Sequence, residues 1–405
     1  QGIDYPIGYV RFTENRNMQT FIDLLSENKI NIDYLITHEF SLAEAPKAYN
    51  MIVNKSDEYA GILIKYDIDK EHSRDIHFNE QTKFQPTEPN IGLVGAGNFA
   101  QNILLPRMKN NCNFVAINTN HGNNAIYVAK KFGFNSCYDS AEKVIKNPKV
   151  NTIFILTPHN THAKYILKSI EQNKHIFTEK PLALTETELK SIYDNYNKKN
   201  YHKSIMVGFN RRFSPYIKKL KSIISNEQAK AINMRINAGV LPTEHWVNDA
   251  EIGGGRIIGE ACHFIDLATY ISNSKINSVF AQAMNDSDNL KNTVNINLKF
   301  DNGSIANISY FSNGNKMMPK ELIEVLSNET SIMIDDFKKM TIFGKSKKKI
   351  KFRGQDKGHQ QELIEFFIAI RNGTPCPIPF EESFHSTDAT FKVVQSIKEN
   401  TVIEL

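Results

Sequence analysis

The sequence predicts an α/β chain: a doubly wound parallel sheet followed by an α+β domain with a mostly antiparallel, open sheet. Between residues 89 and 210, short and nearly continuous apolar runs alternate with helical patterns, as where helices cover both faces of a parallel sheet. From 211 to 405 the strand-like runs alternate apolar with polar residues, and the helices stand apart from them. A glycine-rich turn joins the first apolar run to the helix behind it. The length of 405 residues predicts two or three domains. With 40% hydrophobic and 23% charged residues, the disordered, collagen-like and disulfide-scaffold classes are excluded. The net charge of +5 is spread along the chain and argues for neither nucleic acid nor membrane as partner. No apolar run approaches the ~18–20 residues of a spanning helix.

In chain order, residues 1–66 come first. Met18, Phe21, Ile22, Leu24 and Leu25 repeat at helical spacing and predict a helix over about 16–28. A strand is expected at 31–38 and a helix at 41–53, with Ser41 as N-cap and Glu44 completing a capping box. Another strand is expected at 60–66. Polar residues and Pro86 and Pro89 mark 67–88 as linker. In 89–210, strands are expected at 91–95, 114–118, 152–157, 175–178 and 204–209, with helices between them. In 211–405, strands are expected at 230–238, 277–285, 292–300, 304–311 and 321–327, and Asp301-Asn302-Gly303 is a hairpin signal. Helices are expected near 214–225, 257–272, 358–372 and 381–399. The chain opens on Gln1 with no signal pattern, which suggests a missing natural start. Cys112, Cys137, Cys262 and Cys376 lie far apart without a CxxC pair, so no zinc ribbon is expected, no metal is assigned, and a reducing, cytoplasmic location fits.

The turn Gly95-Ala96-Gly97-Asn98-Phe99-Ala100 is a G-x-G-x-x-A run between a predicted strand and a predicted helix. Gly95 permits the tight turn and Gly97 lets the backbone approach a pyrophosphate. Ala100 permits close helix–strand packing, and the helix start offers unpaired N–H groups. This predicts a dinucleotide-binding domain. The second strand ends at Thr119-Asn120-His121 with neither the carboxylate that would hold a ribose 2′-OH nor an Arg for a 2′-phosphate, so NAD and NADP both remain open. Thr119 is the nearest polar candidate.

Two further segments sit at carboxyl ends of predicted parallel strands, where ligands bind in such sheets. Thr157, Pro158, His159 and His162 form the first, and the segment also reads as a turn capped by Asn160 or Thr161. Glu179-Lys180-Pro181 forms the second; the proline holds Lys180 extended, so its side chain can project from the sheet edge. Farther on, Glu260, His263 and Asp266 fall at i, i+3 and i+6 behind Gly253-Gly254-Gly255, near one helix face, where a carboxylate could orient the imidazole. Arg211, Arg212, His245 and Trp246 read equally as substrate contacts or as a solvated basic turn and a packed indole. His359 reads as a helix-start residue.

Taken together, Gly95-Ala96-Gly97, Thr157-Pro158 with His162, Glu179-Lys180-Pro181, Gly208 through Phe213, and Gly253 through Asp266 make residues 89–405 resemble the Gfo/Idh/MocA family of NAD(P)-dependent oxidoreductases. The resemblance implies a Rossmann domain followed by an α+β substrate domain whose open sheet mediates a homo-oligomer. It makes Lys180 the signature catalytic residue and His263 the proton acceptor. Many members carry Asp four residues before this His; here Gly259 stands there, with Glu260 beside it as a possible substitute. Residues 5–66 are similar to the C-terminal end of medium-chain zinc-type alcohol dehydrogenases. That implies a bi-domain oxidoreductase of the kind associated with surface polysaccharide synthesis. The expected activity is hydride transfer between NAD or NADP and a secondary alcohol or ketone of a sugar, inositol or nucleotide-sugar. Catalysis falls to Lys180, His263 and Glu260. The cofactor falls to Gly95–Ala100, Thr119, Thr157, Pro158, His159, His162, Glu179 and Lys180, and the substrate to Arg211, Arg212, Trp246 and Asp266. The alternatives are a catalytically inactive cofactor-binding module and reduction of a non-sugar ring such as a tetrapyrrole or dihydrodiol.

Overall fold

The computed structural model describes residues 4–67, 75–79, 82–198, 201–285 and 290–405. The described residues fall into two units, 4–67 and 75 onward; the expected linker lies partly outside them.

In the first unit the helix Glu14–Ser26 starts where the Thr13 hydroxyl accepts the Arg16 N–H at 3.4 Å. Strand β1 (Ile36–Ser41) pairs parallel with β2 (Gly61–Lys65), and the helix Ala45–Asn54 lies between them in sequence. β1 starts later than the expected strand because the Asn31 side chain accepts the Asp33 N–H at 2.7 Å and a tight turn takes Asp33–Leu35. Ser41 ends this strand. Its hydroxyl meets the Glu44 carboxylate at 3.0 Å but caps no backbone N–H, which corrects the helix start to Ala45. Among the described residues of this unit only Ala48 and Met51 are buried.

The second unit opens with β3 (Ile76–His77), inside the expected linker, then β4 (Asn90–Val94), β5 (Asn113–Asn118), β6 (Ser136–Cys137), β7 (Thr152–Ile155), β8 (His175–Thr178) and β9 (Ile205–Val207). They form one sheet in the order β3-β6-β5-β4-β7-β8-β9. Neighbours run parallel except β3 against β6. The chain goes to one side of β4 with β5 and to the other with β7, so the strand order reverses at the carboxyl end of β4. A crevice opens at such a point.

The second sheet is built from β10 (Ala231–Asn237), β11 (Ile276–Ala283), β12 (Val294–Phe300), β13 (Ile305–Phe311), β14 (Glu321–Ser327), β15 (Thr330–Asp335), β16 (Lys339–Phe343), β17 (Lys348–Ile350) and β18 (Ile403–Glu404). Its order is β17-β16-β15-β14-β10-β13-β12-β11-β18, and only β10 and β13 pair parallel. The mostly antiparallel expectation holds. The Asp301-Asn302-Gly303 turn joins β12 to β13, with Gly303 at φ +81°. Burial alternates strictly along β12, so one face packs on the helices Cys262–Ser272 and Phe380–Glu399. The other face leaves Ile305 and Leu326 exposed.

The helix His359–Asn372 returns to the first sheet. Leu363, Phe366, Phe367 and Ile370 pack into the core that holds Phe154 and Phe177, whose rings stack at 4.7 Å. Each buried phenylalanine contributes about 1.5–3 kcal/mol, so this return fixes the start of the helix, His359, over the crevice. Among the described residues no helix is long and apolar enough to cross a membrane.

Candidate active site

At the end of β4, Gly95 adopts φ +88°, and a Cβ there would lie 2.6 Å from the Leu156 carbonyl oxygen. Only glycine fits both constraints. At Gly97 no heavy atom of the described residues, its own chain neighbours aside, lies within 4 Å of a Cβ position, so the backbone is open on that side. The chain turns helical at Asn98 and runs through a wide turn, Ala100–Leu104, to Met108. Gly95–Ala100 line a cleft of about 730 Å³ together with Thr119, Asn120, His121 and Asn124 beyond β5 and Leu156, Thr157, Pro158 and His159 beyond β7. An open glycine backbone beside a helix start fits a pyrophosphate. The Thr119 hydroxyl donates to the His121 carbonyl at 2.7 Å.

Glu179, Lys180, Asn210, Arg211, Trp246, His263, Lys357 and His359 line the same cleft. Lys180 leaves β8 through a cis peptide to Pro181, and its Nζ donates to the Gly259 carbonyl at 2.8 Å. An ammonium has three donors, so two stay available to a ligand. His263 follows Cys262 at the start of its helix. Among the described residues its Nδ1 is buried without a partner; Nε2 is not buried in that way, and the residue lines the cleft. Burial, then the charges of Arg211 and Lys180, hold the His263 pKa well below the usual histidine range, so the ring is neutral. Arg211 makes a two-pronged ion pair with Glu321 on β14, both contacts at 2.9 Å, and Lys357 reaches the same carboxylate at 2.6 Å. Burial alone would raise the Glu321 pKa, but the two cations hold it at about 2.

Four expected site residues stand elsewhere. Glu260 does not line the cleft: its carboxylate takes the Arg256 guanidinium at 3.2 Å and the Tyr310 hydroxyl. The physical reason is the wide helical turn Ile257–Ala261, which holds an extra residue and rotates Glu260 off the face expected from i, i+3 spacing. Burial would raise the Glu260 pKa, but Arg256 and Tyr310 keep it lowered. His162 is fully buried, its Nδ1 2.8 Å from the Pro181 carbonyl oxygen and its Nε2 3.0 Å from that of Thr157; burial lowers its pKa, so the neutral ring donates to one of the two, and it does not face the cleft. Arg212 and Asp266 face each other in the interior, at 2.8 and 2.6 Å, and do not face the cleft. Trp246 lines the cleft, half exposed, on a short turn, Trp246–Asn248.

Sequence reasoning missed Asn210, Lys357 and the cleft role of His359. The His359 ring lies tilted beside that of Phe99, at 58° with ring centres 5.9 Å apart. Nothing local marks them, because helix return and sheet packing bring them in from distant segments.

Glu179 offers a direct check on the electrostatics. Burial raises its pKa from 4.5 to about 7, against the opposing charge of Lys180. A carboxyl whose folded pKa is raised contributes stability below its unfolded pKa and loses it as pH rises through the folded value. Relative to Glu179→Gln, the wild type should therefore lose roughly 3 kcal/mol between pH 4.5 and 7, read as urea midpoints at each pH. A pH-independent difference between the two proteins would refute the burial of that charge.

The family model described as an oxidoreductase family with an NAD-binding Rossmann fold matches residues 89–209, and the GFO/IDH/MocA C-terminal domain matches 228–332. The chain is 23% identical to myo-inositol 2-dehydrogenase of Thermotoga maritima over 337 residues, covering 78% of this chain and 98% of that protein. It is 31% identical to scyllo-inositol 2-dehydrogenase (NAD(+)) of Bacillus subtilis over 156 residues, 38% of this chain and 44% of that protein. In fold it is similar to a levoglucosan dehydrogenase solved in complex with NADH and levoglucosan, with a TM-score of 0.69 at 20% identity, covering 78% of this chain and 98% of that one. Both matching models belong to one two-domain architecture. That corrects the expectation that residues 1–66 are a remnant of a zinc-type alcohol dehydrogenase in a bi-domain fusion.

Proposed function

Because the chain belongs to the Gfo/Idh/MocA family of NAD(P)-dependent oxidoreductases, we propose that it oxidises or reduces a secondary hydroxyl on a cyclic polyol or sugar. The observation that carries this reading is the convergence of Lys180 and His263 on the cleft that begins at Gly95–Ala100. NAD or NADP, when bound, supplies the acceptor or donor of the hydride. Gly95–Ala100 would hold its pyrophosphate, and Thr119 and Thr157 the neighbouring polar groups. The neutral His263 ring takes the hydroxyl proton at Nε2. The Lys180 ammonium, fixed by the Gly259 carbonyl, donates to the same oxygen and stabilises the negative charge that develops on it. The Arg211–Glu321–Lys357 group is paired internally and keeps the wall beside His263 in one arrangement. The inositol and levoglucosan dehydrogenases among its relatives support a polyol substrate. The exposed Ile305 and Leu326 on the open sheet face accord with a homo-oligomer.

The test is a turnover screen of the purified chain with NAD and NADP in parallel. The panel holds inositols, levoglucosan, aldoses, nucleotide-sugars and an aromatic dihydrodiol. Reduction of the nucleotide with a cyclic polyol is expected. Turnover of the dihydrodiol alone, or nucleotide binding with no turnover of any compound, would refute the polyol reading.

A further inference from the structure

We infer that His159 is a substrate-binding residue, whose Nε2 accepts a hydrogen bond from the hydroxyl next to the reacting one while Trp246 walls the ring of the polyol. This rests on the polyol reading above and narrows it to neutral cyclic compounds with adjacent hydroxyls.

His159 is 5% exposed, and its Nδ1 lies 2.8 Å from the Gly253 carbonyl oxygen. A carbonyl only accepts, so Nδ1 carries the hydrogen. Burial, then the Lys180 charge, pushes the His159 pKa down to about 3, so the ring carries no second proton near neutrality. Nε2 is thus a bare acceptor. Among the described residues it has no hydrogen-bond partner and it is not closed off from solvent, and His159 lines the cleft. A polar atom of this kind is satisfied by a donor from the cleft.

The surroundings say which donor. One glycine-rich segment anchors both key side chains through its carbonyls: Gly253 holds the His159 ring and Gly259 holds the Lys180 ammonium. A Cβ at residue 259 would lie 2.9 Å from His159 Cε1, so the imidazole occupies the space that a side chain there would need. The indole of Trp246 meets the His159 ring edge-on, with centres 4.8 Å apart. The site therefore sets a donor (Lys180), an acceptor (His159) and an apolar wall (Trp246) around one cleft. A diol satisfies the first two with neighbouring oxygens and offers C–H groups to the third. A carboxylate or phosphate in the same place would set its lone pairs against that of Nε2, so acidic sugars are disfavoured.

The test uses the full chain, NADH fluorescence titration, and steady-state kinetics with myo-inositol, levoglucosan and D-glucose. For whichever is turned over, His159→Asn keeps a donor for Gly253 but falls short of the Nε2 position. It should raise KM about tenfold or more, with NADH affinity within twofold of wild type. His159→Gln reaches that position and should recover most of the loss. Gly259→Ala, which displaces the ring, should raise KM in the same direction. NADH binding also reports that each variant is folded. An unchanged KM in His159→Asn would overturn the assignment, and so would a loss confined to NADH affinity, which would make His159 a cofactor contact. Failure of the wild type to turn over any cyclic polyol is a separate result, which removes the functional reading and this inference with it.

Discussion

Replacing Lys180 with Met is expected to lower kcat by about a thousandfold, roughly 4 kcal/mol of lost stabilisation, while NADH binds within about threefold of wild type. The side chain keeps its length and apolar stem, so the substitution removes the ammonium and little else. One of its donors is engaged with the Gly259 carbonyl, and that bond aims the nitrogen. The remaining two are what a reacting oxygen would meet. Lys180→Arg should fail nearly as badly, because the planar fork cannot keep the Gly259 bond and point at the same oxygen. His263→Ala should lose a comparable factor. The double variant should lose much less than the product of the two, since the pair acts on one oxygen. Turnover of Lys180→Met within tenfold of wild type would remove Lys180 from the chemistry.

The sequence displayed the cofactor end of the site well, because its demands are local. Gly95 needs a left-handed backbone and a close approach to Leu156, and the strand–turn–helix pattern announces that directly. The substrate end is legible only in part. Glu260 was placed by helical spacing, and the wide turn Ile257–Ala261 breaks that spacing without a sequence mark such as proline. Arg211 and Arg212 are chemically identical neighbours, yet the tight turn Asn210–Phe213 sends one to Glu321 and the other to Asp266. No periodicity distinguishes two such residues. In the second sheet, β15, β16 and β17 went unseen for a different reason. The turns that join β14 to β15 and β15 to β16 use Asn328-Glu329 and Asp336-Phe337, all with φ between +43° and +57°. Asn-Gly and Asp-Gly pairs would have signalled such turns. The Phe337 ring is fully buried, and core packing offsets the cost of that conformation, a tertiary gain that composition does not reveal.

Asp266→Ala is expected to destabilise the fold by about 3–5 kcal/mol without touching substrate affinity in the protein that remains folded. Asp266 and Arg212 are 1% and 3% exposed and joined by two hydrogen bonds, with the Ser386 hydroxyl donating to the carboxylate at 3.4 Å and Glu382 at the other side of the guanidinium. Removing the carboxylate leaves Arg212 charged in the interior with, among the described residues, the half-exposed Glu382 as its remaining counter-ion. The cost is mainly that unpaired charge, so Asp266→Leu combined with Arg212→Met, which removes both charges and keeps the volume, should recover most of the stability. Urea midpoints for the two singles and the double give the coupling, and KM measured well below the transition separates the roles. The pair joins the helix that carries His263 to the turn that carries Arg211, so some loss of kcat is compatible with a positioning role. A tenfold rise in KM with stability intact is not: it would return Asp266 to the substrate, where the sequence alone had put it.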